Sequence, residues 1–179
     1  MMTFLPLLAG GAIVGAAVLL ALLFIIDLKH FLLLDKYVFP FGILGIVAHA
    51  SIGFAALSPL DMALGALVGG GGLLAVRALG TYYYKQEAMG LGDVKLLAAA
   101  GLWLGPHGTL LAITAGAVAG LVHGLTFAAY TAIKNKTPFS IHRLVIPAGP
   151  GFIVGIVLVF AAQHFWAFWT TLFPLIQGY

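Results

Sequence analysis

Among the five acidic residues of this chain, Asp27 and Asp93 stand where a carboxylate is hard to dismiss as surface decoration. Asp27 directly follows 23 uncharged residues, Phe4 to Ile26, and Asp93 opens a short apolar segment of 13 residues that reaches Gly105. Asp61 falls between two other apolar runs, while Asp35 and Glu87 lie in polar loops where a solvated or capping role suffices. A helix of that short segment's length covers about 20 Å, so if its far end reaches the membrane interface, Asp93 lies below the bilayer surface. An isolated carboxylate there costs at least ~2.5 kcal/mol unless it is neutral, paired or in a water-filled cleft. Two aspartates sharing one proton answer that cost with a single negative charge. The ionised member can take a proton from water while the neutral one polarises a peptide carbonyl, which is aspartic-protease chemistry.

Taken alone, Asp27 reads as an ordinary acid at a helix end, and Asp93 as a helix cap with Lys95 nearby. Gly90 and Gly92 reverse that reading for Asp93, because glycine on both sides lets the backbone leave helical geometry and lets a substrate strand approach closely. Other catalytic arrangements fail on their residues. Six histidines, His30, His49, His107, His123, His142 and His164, form no H-E-x-x-H and no i, i+4 pair, so a metal site is not expected. His49 and His123 lie within apolar runs, where a hydrogen bond to a neighbouring helix is the expected role. Ser51, Ser58 and Ser140 stand in no hydrolase signature, and the absence of cysteine excludes disulfides, thiolate catalysis and cysteine-ligated metals.

The elements that must position these acids are membrane helices. The chain is 63% hydrophobic and 7% charged, with a mean hydropathy of +1.14, more apolar surface than a soluble domain of 179 residues can hide. One all-α domain over residues 1–179 is expected. The first run spans roughly 34 Å as a helix, enough to cross the bilayer, and without a basic segment before it reads as a retained span rather than a cleaved signal. A second run covers about Tyr37 to Leu57 and a third about Asp61 to Tyr84, with Arg77 placed to snorkel to the surface. Leu96 to Ile133 carries no charge and is too long for one crossing; Gly105-Pro106-His107-Gly108 divides it. A last run follows Pro147 and ends among Trp166 and Trp169, making six transmembrane helices.

If the spans alternate, all eight cations fall on one face: Lys29 and Lys36, then Arg77, Lys85 and Lys95, then Lys134, Lys136 and Arg143. The positive-inside rule makes that face cytoplasmic and turns both termini outward, to the periplasm. Trp103, Trp166 and Trp169 then fall near the outer interface and Tyr82 to Tyr84 near the inner one, as an aromatic belt. The net charge of +3 is dispersed among apolar runs, so no nucleic-acid partner is expected; the lipid bilayer is. Gly69 to Gly72 and the series Gly116, Gly120, Gly124 read first as sites of close helix packing, the four-glycine run second as a flexible gap where a substrate helix could enter.

With these residues in place, the sequence resembles the type IV prepilin peptidases, membrane aspartic proteases of the GxGD class. Gly90-Leu91-Gly92-Asp93-Val94-Lys95 and the Leu-Leu-Ala-Ala-Ala-Gly-Leu-Trp-Leu-Gly after it are similar to the family's second active-site segment. Ile26-Asp27, Leu32-Leu33-Leu34-Asp35 and Pro40 are similar to the first, although Leu34 stands where proline is common, and Ile146-Pro147-Ala148-Gly149-Pro150 resembles the start of the last helix. The resemblance implies that Asp27 and Asp93 are the catalytic pair, with Gly90, Gly92 and Lys95 as supporting motif residues. It implies a bacterial inner-membrane enzyme that cleaves the leader of a prepilin or pseudopilin at the cytoplasmic face without a cofactor. The chain looks like the peptidase portion alone, without the cysteine-containing region associated with N-methylation, so no methyltransferase activity is expected. Two rival readings use the same acids: a small proton-linked transporter, and a membrane protein that binds pilin helices without cutting them.

Overall fold

The computed structural model describes residues 4–30, 32–87, 89–135 and 148–177, with side-chain positions inside 7–165. Every regular element among them is helical. Helix α1 is Phe4–His30 and α2 is Asp35–Ser51. Helix α3, Pro59–Tyr84, starts where Ser58 Oγ accepts from the Asp61 amide at 3.2 Å and Pro59 fills the first position, which needs no amide hydrogen. Residues 91–135 contain a break at Gly105, whose backbone (φ 67°, ψ −178°) is one that side chains exclude, and Pro106 restarts the helix behind it. The halves are α4 (91–104) and α5 (106–135). Helix α6 is Ala148–Gln177.

Contacts between small residues give the helix directions. Helices α2 and α4 run side by side in the same sense, with Gly42 against Ala99 and Gly45 against Trp103. Helix α3 runs the opposite way, Gly65 meeting Gly101 and Gly69 meeting Leu97. Helix α6 is antiparallel to α5, with Gly151 on Gly120 and Gly155 on Ala112, while Gly15 of α1 faces Leu44 of α2. Consecutive segments therefore alternate in direction. One end of the bundle collects the last turns of α1 and α3 with the first turns of α2, α4 and α6, and it holds Lys29, Lys36, Arg77, Lys85, Lys95 and Lys134. Lys136 and Arg143 lie outside the described residues, as do Ser140, His142, Ile146, Pro147 and the side chains of Trp166 and Trp169.

Large apolar side chains cover the outside, among them Leu7, Val14, Val18 and Leu22 on α1, Leu60 and Leu67 on α3 and Leu111 and Leu121 on α5. The interior uses smaller ones, such as Ala12, Ala16, Ala99, Ala100 and Ala112, with Phe41, Leu96 and Leu97 filling between them. Helices apolar all round, with small residues at their contacts, are those of a multi-pass membrane protein. Four stretches are long and apolar enough to cross a membrane: Leu7–His30, Pro59–Tyr84, Leu91–Tyr130 and Ala148–Phe165. That is fewer than the six expected, for two physical reasons. Helix α2 has only 17 residues, and α4 and α5 turn at Gly105 with no loop between them, so the two make one unbroken 40-residue apolar stretch.

Three further expectations are corrected. The second apolar run does not continue as helix to Leu57; it stops at Ser51, where Gly53 (φ 65°) and Phe54 (φ 57°) turn left-handed and the Phe54 amide donates to His49 O at 2.8 Å. Trp103 is no belt residue: it is 6% exposed, stacks on Phe41 and donates its indole N–H to Phe41 O at 2.9 Å. Tyr82, Tyr83 and Tyr84 are exposed at the lysine-rich end, as expected. The four-glycine run carries a π-helical turn, Leu67–Gly71, and two of its glycines abut Leu97 and Ala98 of α4, so close packing is its observed role. His49 does reach a neighbouring helix, at Trp103 O, whereas His123 is exposed and stacks on Phe127 of its own helix.

Candidate active site

Asp27 lies in the last turn of α1 and Asp93 in the first turn of α4, and both side chains are buried, with 5% and 8% of the residue exposed. Hydrophobicity on all sides of α1 carries that helix through the bundle, and Asp27 is where it meets the starts of α4 and α6. Leu33, in the short link between α1 and α2, lies against the starts of both α4 and α6. A Cβ added to Gly92 would lie 2.7 Å from Leu33 Cβ, and one added to Gly149 would lie 3.2 Å from Leu33 Cδ1. That same Cβ on Gly149 would collide with the Asp27 carboxylate, 2.9 Å from its Cγ. The carboxylate of Asp27 thus rests on the bare backbone of α6. Through Leu33 the end of α1 and the start of α4 come to one place, although 66 positions separate Asp27 from Asp93 in sequence.

Asp27 Oδ2 is buried without a hydrogen-bond partner among the described residues. A buried, unpartnered acceptor is costly, and a proton held between two neighbouring carboxyls removes that cost. The arrangement can therefore hold one proton between two acids and offer one as base and the other as acid. No group of three His, Cys, Asp or Glu side chains is placed to hold a metal ion among the described residues.

The supporting residues of the motif are placed as follows. Gly90 lies beside Asp93, a Cβ there falling 3.4 Å from Asp93 Oδ2. Gly92 does not leave helical geometry: it is inside the first turn of α4 and neither it nor Gly90 has a positive φ. Its role is to let α4 touch Leu33. Lys95 does not reach out alone toward the surface; its ammonium pairs with Asp35 Oδ2 at 2.6 Å, tying the start of α2 to the start of α4.

Three contributors were not found from the sequence. Arg77 does not simply snorkel: its guanidinium donates to Met89 O at 2.7 Å and to Glu87 Oε1 at 3.1 Å, so it grips the loop that carries Gly90 to Asp93. A main-chain carbonyl leaves no signature in sequence, which is why that grip was invisible. Leu33 and Gly149 act by shape across long sequence separations, and the only signal for Gly149 was its place in the resemblance to the last helix.

An alternating bundle of apolar helices that buries two aspartates from different helices at one end defines a multi-pass membrane protein with a pair of enclosed carboxyls. A model of the type IV leader peptidase family matches residues 13–125, a range that includes both acids, and the chain belongs to that family. It is 34% identical over 169 residues to a prepilin leader peptidase/N-methyltransferase of Xanthomonas campestris pv. campestris, covering 94% of this chain and 52% of the relative. A protein of the same name from Pectobacterium carotovorum subsp. carotovorum is 36% identical over 122 residues, 64% of this chain and 43% of the relative. The leader peptidase HopD of Escherichia coli is 32% identical over 143 residues, which are 78% of this chain and 88% of that protein. The chain spans about half, or less, of the length of the first two relatives. No solved structure matches it.

Proposed function

We propose that this protein is an aspartic endopeptidase that removes the leader from prepilins or pseudopilins, with Asp27 and Asp93 as the catalytic pair. The observation that carries the reading is that two buried acids from different helices are brought to the same end of the bundle, where the cations also lie. The names of the relatives supply the substrate class. In the reaction, the ionised carboxyl takes a proton from water as its oxygen bonds to the peptide carbon, and the neutral carboxyl gives its proton to the carbonyl oxygen. The tetrahedral diol then collapses, the amide nitrogen gains a proton, the C–N bond breaks, and the pair returns to holding one proton. Gly149 and Gly92 present backbone rather than side chains beside the acids, which lets Leu33 and the Asp27 carboxylate pack directly on α4 and α6.

The topology that suits this activity has six crossings, α1 to α6, with both termini outside and the acids at the cytoplasmic face of the bacterial inner membrane. Alternating helix directions and the clustering of cations support it. Helix α2 crosses with its short length completed by the 52–57 turn, and α4 and α5 cross separately about Gly105.

The test is cleavage of a prepilin by the detergent-purified protein, comparing wild type with Asp27→Asn and Asp93→Asn. Each variant should remain folded and lose activity by about 10²–10⁴-fold, the usual worth of a positioned acid or base. Normal cleavage by either variant would sink the mechanism, and a folded wild type inert toward several prepilins would sink the activity.

A further inference from the structure

Three cavities follow one another along the line where α1 faces α6. The one nearest the acids, about 150 Å³, is bounded by Phe24 and Leu28, which stand on either side of Asp27 in α1, and by Pro150 beside Gly149. The middle one, about 120 Å³, has Ala17 and Leu20 of α1 and Val157 of α6 on its sides, with Phe41 and Trp103 as its floor. The third, about 400 Å³, lies toward the opposite end of the bundle and shares Ile13, Trp103 and Phe160 with the second.

The lining keeps to one stripe of each helix. On α1 it reads Ala9, Ile13, Ala17, Leu20, Phe24 and Leu28, and on α6 Pro150, Val154, Val157, Phe160 and His164. Steps of three and four residues stay on a single helix face, so the cavities are stretches of one furrow. From Ala9 to Leu28 it is about 28 Å long, the depth of the hydrocarbon core. It opens sideways: Ala17, Val154 and Val157 on its rims are exposed, whereas Leu20, Phe41 and Trp103 beneath them are buried. The floor is fixed, because Trp103 stacks on Phe41 and donates its indole N–H to Phe41 O. Near the acids the furrow is widened by Gly120, where an added Cβ would meet nothing within 4 Å.

Lipid, a second copy of the chain or a substrate could cover such a furrow, and its position selects among them. It ends at Asp27, and a bond delivered to acids enclosed among apolar helices is held there most readily by a segment that itself tolerates the bilayer. In hydrocarbon that segment is a helix, since an open backbone would find no partners. Resting on the peptidase reading above, we propose that the furrow between α1 and α6 docks the apolar helix of the prepilin. That helix enters sideways from the lipid and lies antiparallel to α1, with the bond to be cut at the acid end. The furrow takes the side chains of one face of the helix, at the same three- and four-residue spacing as its own walls.

The test uses the whole chain, which has no cysteine of its own. In the uncutting Asp93→Asn background, Ala17→Cys and Val157→Cys should each be joined by a short bismaleimide to a cysteine placed about ten residues past the cut bond of a prepilin. Ala17 is ten residues from Asp27 on α1, and two helices side by side rise equally, about 15 Å over that length. Val18→Cys, exposed on α1 but outside the furrow, should not be joined. In the active protein, Gly120→Leu fills the furrow without meeting a neighbour. It should raise KM for the prepilin by about tenfold or more with little change in kcat, the sign of lost binding. Gly11→Leu, equally open but outside the furrow, should behave as wild type. The proposal is overturned if neither furrow cysteine links, lipid alone then filling the furrow, or if Val18→Cys links as readily as they do. It is overturned too if folded Gly120→Leu keeps the wild-type KM, or if Val157→Cys joins two copies of this chain in place of the prepilin. Because the cross-link is read without cleavage, a wild type that fails to cut would remove the peptidase reading and leave a furrow cross-link standing as binding.

Discussion

Gly149 has no side chain, and the Asp27 carboxylate lies where one would be. The clash a methyl group would create is with the free end of a side chain, so the fold can relieve it by turning Asp27 aside. Gly149→Ala should therefore stay folded, with an unchanged melting temperature in detergent, yet lose prepilin cleavage by about 10²-fold, since a reacting group misplaced by an ångström costs that much. Asp27 and Asp93 were legible in the sequence because an acid bordering a long apolar run is expensive and so demands a reason. Gly149 and Leu33 were not, because what they do is leave space or fill it, and periodicity is blind to which distant residue the space is shared with. Lys95 and Asp35 were each seen, but as separate surface charges; only the parallel packing of α2 on α4 makes them a pair.

The loop between α3 and α4 shows how an element can be positioned by one side chain. Arg77 is largely buried, 16% exposed at its side chain, whereas its ion-pair partner Glu87 is 79% exposed. An exposed carboxylate adds little, so the bond to Met89 O is the effective part of the grip. Arg77→Ala should lower the turnover rate more than it raises KM for the prepilin, because it loosens the segment that carries Asp93. It should also destabilise the protein by about 1.5–3 kcal/mol, the net worth of a hydrogen bond from a charged donor. Arg77→Lys should recover only part of the rate, since an ammonium lacks the fork that holds two acceptors at once. Cleavage kinetics and thermal unfolding on the three proteins would check this, and equal rates would remove Arg77 from the site. Most elements themselves were legible: apolar runs located α1, α3 and α6, and Gly105-Pro106 located the break between α4 and α5. The end of α2 was hidden because residues 52–57 are apolar while their backbone is turned by Gly53 and Phe54. Hydropathy reports the solvent a segment tolerates and not its dihedral angles.

At the scale of the whole molecule, alternating directions put the 52–58 turn and the 85–90 loop at opposite ends of the bundle. The natural lack of cysteine makes this simple to check, because any introduced thiol is unique. If the proposed topology holds, Ala55→Cys in intact cells should react with a membrane-impermeant maleimide added outside, while Gln86→Cys should react only after the membrane is opened; the reverse pattern would overturn that topology. The arrangement of bulk in this fold also has a consequence for which mutations matter. In a water-soluble protein, shaving a large apolar residue is the damaging change and small residues are forgiving. Here Leu22 is 38% exposed on the outside of α1 and Ala100 is wholly enclosed. Leu22→Ala should shift stability by no more than about 0.5 kcal/mol, as an ordinary surface change does. Ala100→Leu should cost about 1–3 kcal/mol or more by overpacking. Mutational tolerance in this protein should thus run inside out, with genetic variation free to shrink the leucines that meet lipid and barred from enlarging the alanines and glycines that meet each other.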